Sequence, residues 1–234
     1  MTTIKAAKSA LRKSMKQTLT AVSGELITSQ SQAVLTRLSQ LPQYQSSKSI
    51  SCYVSMSTGE VQTDSIIQQA LDDGKFVYVP RIMRDPPRSG TANQSTGSYM
   101  NLFRLYSPLD FETGLIPGVW GIREPNLLVG NTPRATVFDE ESMGLDLILM
   151  PGMAFDRELA RLGHGKGYYD NFIARYLSTA ENIGWPKPTL IGLSLEEQVL
   201  DTSVIPMAEH DVRLDALVTR ASCYGIDSEM TTPL

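Results

Sequence analysis

Cysteine and histidine are scarce in this chain, with two of each in 234 residues. Neither Cys52 nor Cys223 belongs to a CxxC, and no cysteine–histidine spacing suits a zinc site. That excludes a disulfide framework and fits a reducing compartment. Cys52 lies in an apolar run and is expected to be a buried thiol, whereas Cys223 is placed in the tail. Strong net charge is also missing: at −4, nothing draws the chain as a whole toward nucleic acid. An anionic ligand would need a local cluster of positive groups. No apolar run approaches the ~18 residues of a membrane helix. No serine or cysteine nucleophile motif lies near His164 or His210, so a hydrolytic triad is not expected.

A composition of 41% hydrophobic and 20% charged residues describes an ordinary globular domain. Ile4, Ala7, Leu11, Met15 and Leu19 recur at helical spacing, and Ile27, Val34, Leu38 and Leu41 give a second helix stopped by Pro42. "SISCYVSM" (49–56) and "LDLILMPG" (145–152) are apolar runs suited to buried strands. Between "SISCYVSM" and the strand "KFVYVP" (75–80) lies a helix with Asp64 as N-cap and Gly74 as stop. "YDNFIARYL" (169–177) predicts a further helix, and "TLIGLSL" (189–195) and "LDALVT" (214–219) the last strands. Strand–helix–strand order predicts one α/β domain with a parallel sheet. The polar stretch 84–101 is expected to be a surface insertion, and 227–234 a flexible tail.

Residues 1–24 carry five basic side chains and no acidic one, a composition shared with mitochondrial presequences. Only Arg12 among them is arginine, and the segment runs directly into the first helical pattern. A cytoplasmic protein is expected, with the mitochondrion as the alternative.

Three clusters could carry chemistry. In "ARLGHGKGYYD" (160–170), Gly163, Gly165 and Gly167 alternate around His164 and Lys166 before a predicted helix. Such a loop can aim backbone N–H groups at an anion. It is neither a P-loop nor a GxGxxG, and on pattern alone a ligand-free turn stands level with a phosphate cradle. Lys5, Lys8, Arg12 and Lys16 form a basic stripe on the first helix, either a solvated face or an anion site. Asp170, Asp211 and Asp215 supply carboxylates of the kind Mg²⁺ takes beside phosphates, although each alone could be a cap or a surface charge. Glu60 follows a strand where ligands gather, and Trp120 sits in "GVWGIREP", suited to stacking or to covering the core.

Together these segments resemble the 5-formyltetrahydrofolate cyclo-ligase (methenyltetrahydrofolate synthetase) family. "KSALRK", "YVSMSTGEVQT", "VPRI", "VWGIREP", "LILMPGMAFDRELARLGHGKGYYD" and "IPMAEHDVRLDALVT" carry the resemblance over most of the chain. It implies a Rossmann-like three-layer sandwich and conversion of 5-formyltetrahydrofolate, ATP and Mg²⁺ to 5,10-methenyltetrahydrofolate, ADP and phosphate. By this resemblance Lys8, Ser9, Ala10, Leu11 and Arg12 contact ATP. So does the run Arg161, Leu162, Gly163, His164, Gly165, Lys166, Gly167, Tyr168 and Tyr169, of which His164 to Tyr168 also border the folate. Val54, Glu60 and Trp120 match substrate positions, and Asp170 and Asp211 match Mg²⁺ ligands, with Asp215 close by. Lys166 and Arg12 would neutralise the transferring phosphoryl group. Where the family can place arginine at 164 this chain has histidine, which lacks the fork that grips phosphate. The stretch from Val54 to Glu60 is also one residue longer than in some members. The partners implied are the small molecules 5-formyltetrahydrofolate and ATP, with a monomer expected; surface lysines would favour a polyglutamate tail on the folate, but the sequence leaves that preference open. A non-catalytic nucleotide- or folate-sensing module and a phosphosugar enzyme are the rival readings.

Overall fold

The computed structural model describes residues 3–84, 97–118, 121–209 and 211–226. Helices α1 (Ile4–Thr20), α2 (Gly24–Gln40) and α3 (Pro42–Ser46) precede strand β1 (Ser49–Ser51). Pro42 ends α2 as expected and also opens α3, since its fixed φ and missing N–H cost nothing in a first turn. Then come α4 (Asp64–Asp72), β2 (Phe76–Arg84), β3 (Ser98–Leu105) and α5 (Pro108–Thr113). Short antiparallel pairs follow, β4 (Leu115–Pro117) with β5 (Arg123–Pro125) and β6 (Leu128–Val129) with β7 (Thr132–Pro133). The second half holds β8 (Leu147–Met150), β9 (Ala154–Asp156), β10 (Arg161–Leu162), α6 (Tyr168–Ile183), β11 (Thr189–Leu193), β12 (Val199–Leu200), β13 (Ala216–Val218) and β14 (Cys223–Gly225).

Seven strands form one sheet in the order β14-β13-β11-β8-β1-β2-β3. The five inner strands are parallel, and both edges, β3 and β14, are antiparallel. Side chains alternate between its two faces, as the pleat requires. Ile50, Val77, Val79, Leu147, Leu149 and Ile191 pack under Val34, Leu38, Ile66 and Ile67 of α2 and α4. Tyr78, Ile148, Met150, Leu190 and Leu217 face Phe172, Ile173 and Tyr176 of α6. This is the expected three-layer α/β sandwich. Leu19 and Met15 of α1 join Ala154, Ala160 and Leu162 in a smaller core around the β9–β10–β12 sheet. The basic N-terminal segment is thereby an integral helix. Among the described residues no helix is long and apolar enough to cross a membrane.

Several sequence expectations change. The stretch 84–101 is not wholly an insertion: Arg84 ends β2 and Ser98–Asn101 open β3, in register with Arg84 to Arg81. Residues 85–96 and the predicted tail 227–234 lie outside the described residues. Cys223 is not in a tail but buried in β14. The cap of α4 is Thr63, one residue before Asp64, while Gly74 stops the helix at φ +73° as foreseen.

Candidate active site

From β1 the chain steps outward to β2 and β3, and it returns to lay β8, β11, β13 and β14 on the other side. The order therefore reverses between β1 and β8, where parallel sheets leave a crevice beyond the strands' carboxyl ends. A cavity of about 980 Å³ occupies that place, lined by Tyr53 and Val54 after β1 and by Pro151 after β8.

Its first wall is α1. Helical spacing of three and four puts Lys5, Lys8 and Arg12 on one face, and all three line the cavity. Ser9 and Ala10 are exposed, Leu11 packs into the small core, and none of the three lines the cavity, nor does Lys16. Arg12 Nε donates to Gly163 O at 2.8 Å, tying the helix to the glycine loop. Lys8 pairs with Asp211, whose carboxylate also accepts from Ala208 N at 2.5 Å.

The second wall is the loop from Arg161 to Tyr169. It does not follow the buried strand β8 directly, as the sequence implied, because the β9–β10 pair intervenes. Gly165 has φ +88°, and a Cβ there would stand 3.2 Å from Arg12 Cζ, so glycine lets the guanidinium lie against the loop. Gly167, at φ +68°, is the N-cap of α6 and offers no side-chain cap. The helix's leading N–H groups thus face the cavity with the positive end of the dipole. Lys166 is exposed at this rim. The His164 pKa is lowered by partial desolvation, then by the charges of Arg161 and Arg12. Both effects disfavour the charged ring. Asp170, in the first turn of α6, accepts from Arg161 Nη2 at 2.9 Å.

The third wall is apolar: Tyr53, Val54, Pro80, Ile82, Met100 and Ile122. Tyr168 leans toward it, its hydroxyl 2.8 Å from that of Ser98 on β3. Two carboxylates are set in this region. Glu60, 4% exposed, accepts from Met56 N at 2.7 Å. Burial pushes its pKa up to about 7, while the Met56 amide opposes the rise. Glu124 on β5 was not anticipated. Its signal, a charged residue one place before the end of "GVWGIREP", carries no hint of burial in the sequence alone.

The structure thus brings together Lys8, Arg12, Val54, Glu60, Asp170, Asp211 and every residue from Arg161 to Tyr169. Asp215 is elsewhere: it accepts from Leu190 N at 2.8 Å and registers the start of β13. Trp120 and His210 lie outside the described residues. Among those described, no group of three or more His, Cys, Asp and Glu could hold a metal alone.

A sequence model described as the 5-formyltetrahydrofolate cyclo-ligase family matches residues 4–220. A Caenorhabditis elegans protein named probable 5-formyltetrahydrofolate cyclo-ligase is 40% identical over 97% of this chain and 100% of its own length. A Schizosaccharomyces pombe protein of the same name is 34% identical, over 91% of this chain and 94% of its own length. The NMR structure of Aquifex aeolicus 5,10-methenyltetrahydrofolate synthetase superposes with a TM-score of 0.65 at 28% identity, covering 94% of this chain and 93% of its own.

Proposed function

The chain belongs to the 5-formyltetrahydrofolate cyclo-ligase family, and from that premise we propose that it closes 5-formyltetrahydrofolate to 5,10-methenyltetrahydrofolate while converting ATP to ADP and phosphate. One observation carries the reading: a single cavity joins cations and an open helix N-terminus to an apolar wall holding buried carboxylates. The first half suits a triphosphate, the second a flat heterocycle.

The formyl oxygen leaves poorly, so ring closure needs it activated. In this reading the oxygen attacks the γ-phosphorus of ATP and the bond to ADP breaks. The lone pair at N10 then attacks the formyl carbon, N10 loses its proton, and the carbon–oxygen bond breaks as phosphate departs. Lys8, Arg12, Lys166 and the glycine-loop amides neutralise and align the phosphates, which is most of what phosphoryl transfer asks of a protein. Glu60, with a pKa of about 7, is suited to take the N10 proton at working pH.

Mg²⁺ fits the donor set as a partner of the nucleotide. Asp170 and Asp211 line the cavity, and one or two carboxylates plus phosphate oxygens are what this ion takes. Bound there, it would offset charge on the phosphates. Arg161 and Lys8, now paired with the two carboxylates, would then be released toward the phosphates.

The test is an absorbance assay. Protein, 5-formyltetrahydrofolate, ATP and Mg²⁺ should give the near-ultraviolet band of the methenyl product, and omitting ATP should abolish it. A sensing module or a phosphosugar enzyme would give no band.

A further inference from the structure

We propose that Glu124 is a substrate-binding residue that accepts the two adjacent N–H donors of the folate's aminopyrimidinone edge. The proposal rests on the folate reading above.

Glu124 is 7% exposed and lines the cavity among Pro80, Ile82, Met100 and Ile122. A carboxylate in such surroundings is costly unless hydrogen-bonded. Its partners here are poor. Oε1 accepts from Ile82 N at a long 3.3 Å, and Oε2 is 3.7 Å from Arg81 Nε, beyond hydrogen-bond range. Arg81 does not fork onto the carboxylate; its Nη1 donates to Pro125 O at 2.5 Å. Acids that serve structure are better satisfied. The half-buried Asp110 receives both Nη1 and Nη2 of Arg134, at 2.6 and 2.8 Å. Asp156 accepts from the amides of Glu158, Ala160 and Ile205 at 3.1, 3.0 and 3.3 Å. Glu124 alone of these faces the cavity with most of its acceptor capacity unused.

The backbone also makes room for it. A Cβ on Gly118 would fall 2.4 Å from Glu124 Cγ, 2.6 Å from Cδ and 2.8 Å from Ile122 O, so any other residue would crowd both the carboxylate and the turn. Gly118 N is committed to Ile122 O at 2.8 Å, which fixes the turn that holds it there.

The ligand chemistry follows from the donor count. A carboxylate with two open oxygens matches two parallel N–H donors on a planar group. The 2-amino group and N3–H of the folate ring are such a pair, and the neighbouring apolar side chains suit its faces. A phosphate is excluded by charge, which assigns the nucleotide to the α1 and glycine-loop side. Adenine offers one donor beside an acceptor and matches less well. Glu60 is then left for the reacting end of the folate.

The experiment compares 5-formyltetrahydrofolate with its 2-desamino-2-methyl analogue in wild type and E124Q. Wild type should prefer the natural folate. In E124Q the KM for the natural folate should rise about 10- to 100-fold, the loss expected for a hydrogen bond to a charged group. The kcat and the KM for ATP should stay unchanged, and the preference between the two folates should vanish. E124D keeps the charge but withdraws the carboxylate by one methylene and should give the same loss of preference, so a failure of E124Q to fold leaves the test intact. Wild-type preference retained in the variants, or a rise in the KM for ATP instead, overturns the assignment and leaves Glu124 as a brace between β2 and β5. If wild type makes no methenyl product at all, it is the reaction assignment that fails, and this shows before any variant is made.

Discussion

At the scale of single residues, charge placement decides most of the site. Glu60 ionises near 4.5 when unfolded but only near 7 when buried. The folded state therefore binds the extra proton between those values, and stability falls as pH rises through that window. Replacing Glu60 by glutamine keeps an acceptor for Met56 N and removes the penalty. E60Q should raise the unfolding free energy by about 2–3 kcal/mol at pH 8 and by less than about 1 kcal/mol at pH 5. Urea titrations at the two pH values check this, and an equal gain at both would contradict it. The same variant should lose activity, since the buried acid is retained at a cost to stability.

The phosphate side separates its residues in the same way. Arg12 and Lys166 should each raise the KM for ATP about tenfold when changed to alanine, with the fold intact. His164→Ala should change it less, because desolvation and the neighbouring cations disfavour a charged ring. Steady-state kinetics of the three variants settle the ranking. Sequence alone leaves His164 unresolved: the pattern shows its place in the loop, whereas its lowered pKa comes from desolvation in the folded site and from Arg161 and Arg12 arriving from β10 and α1.

At the scale of elements, the glycine loop is held from both ends. Arg12 grips Gly163 O, and α6 is fixed by Tyr176, whose hydroxyl accepts from the buried Leu145 N at 2.6 Å. Tyr176→Phe leaves that amide unpaired and should cost about 1–3 kcal/mol without changing KM for either substrate. Gly165→Ala should raise the KM for ATP through strain at φ +88° and crowding of Arg12, and should also cost about 1–2 kcal/mol of stability.

The elements legible in the sequence were those with period or length. The buried inner strands showed as unbroken apolar runs, and α1, α2, α4 and α6 as amphipathic patterns. β1 is shorter than its run because the chain leaves the sheet after Ser51 to wall the cavity with Tyr53 and Val54. β3 was missed in part because Ser98, Tyr99 and Asn101 are at least partly exposed, and an edge strand half exposed lacks a continuous apolar signal. Strands of two or three residues, such as β9, β10 and β5, are too short for any periodicity. Glu124 went unseen with β5, since only the folded register shows a carboxylate beside Ile82.

At the scale of the whole molecule, the strand order puts the site where it is. Reversal between β1 and β8 opens one crevice, α1 closes it from one side, and β2, β3 and β5 close it from the other. Residues scattered from Lys8 to Asp211 meet there because five parallel strands end on the same edge. The central claim is that this single cavity lets the formyl oxygen reach the γ-phosphate directly. Supplying 5-formyltetrahydrofolate labelled with ¹⁸O in the formyl group and analysing the released phosphate by mass spectrometry tests it. The account predicts one ¹⁸O atom in each phosphate formed with the methenyl product, and unlabelled phosphate would contradict it.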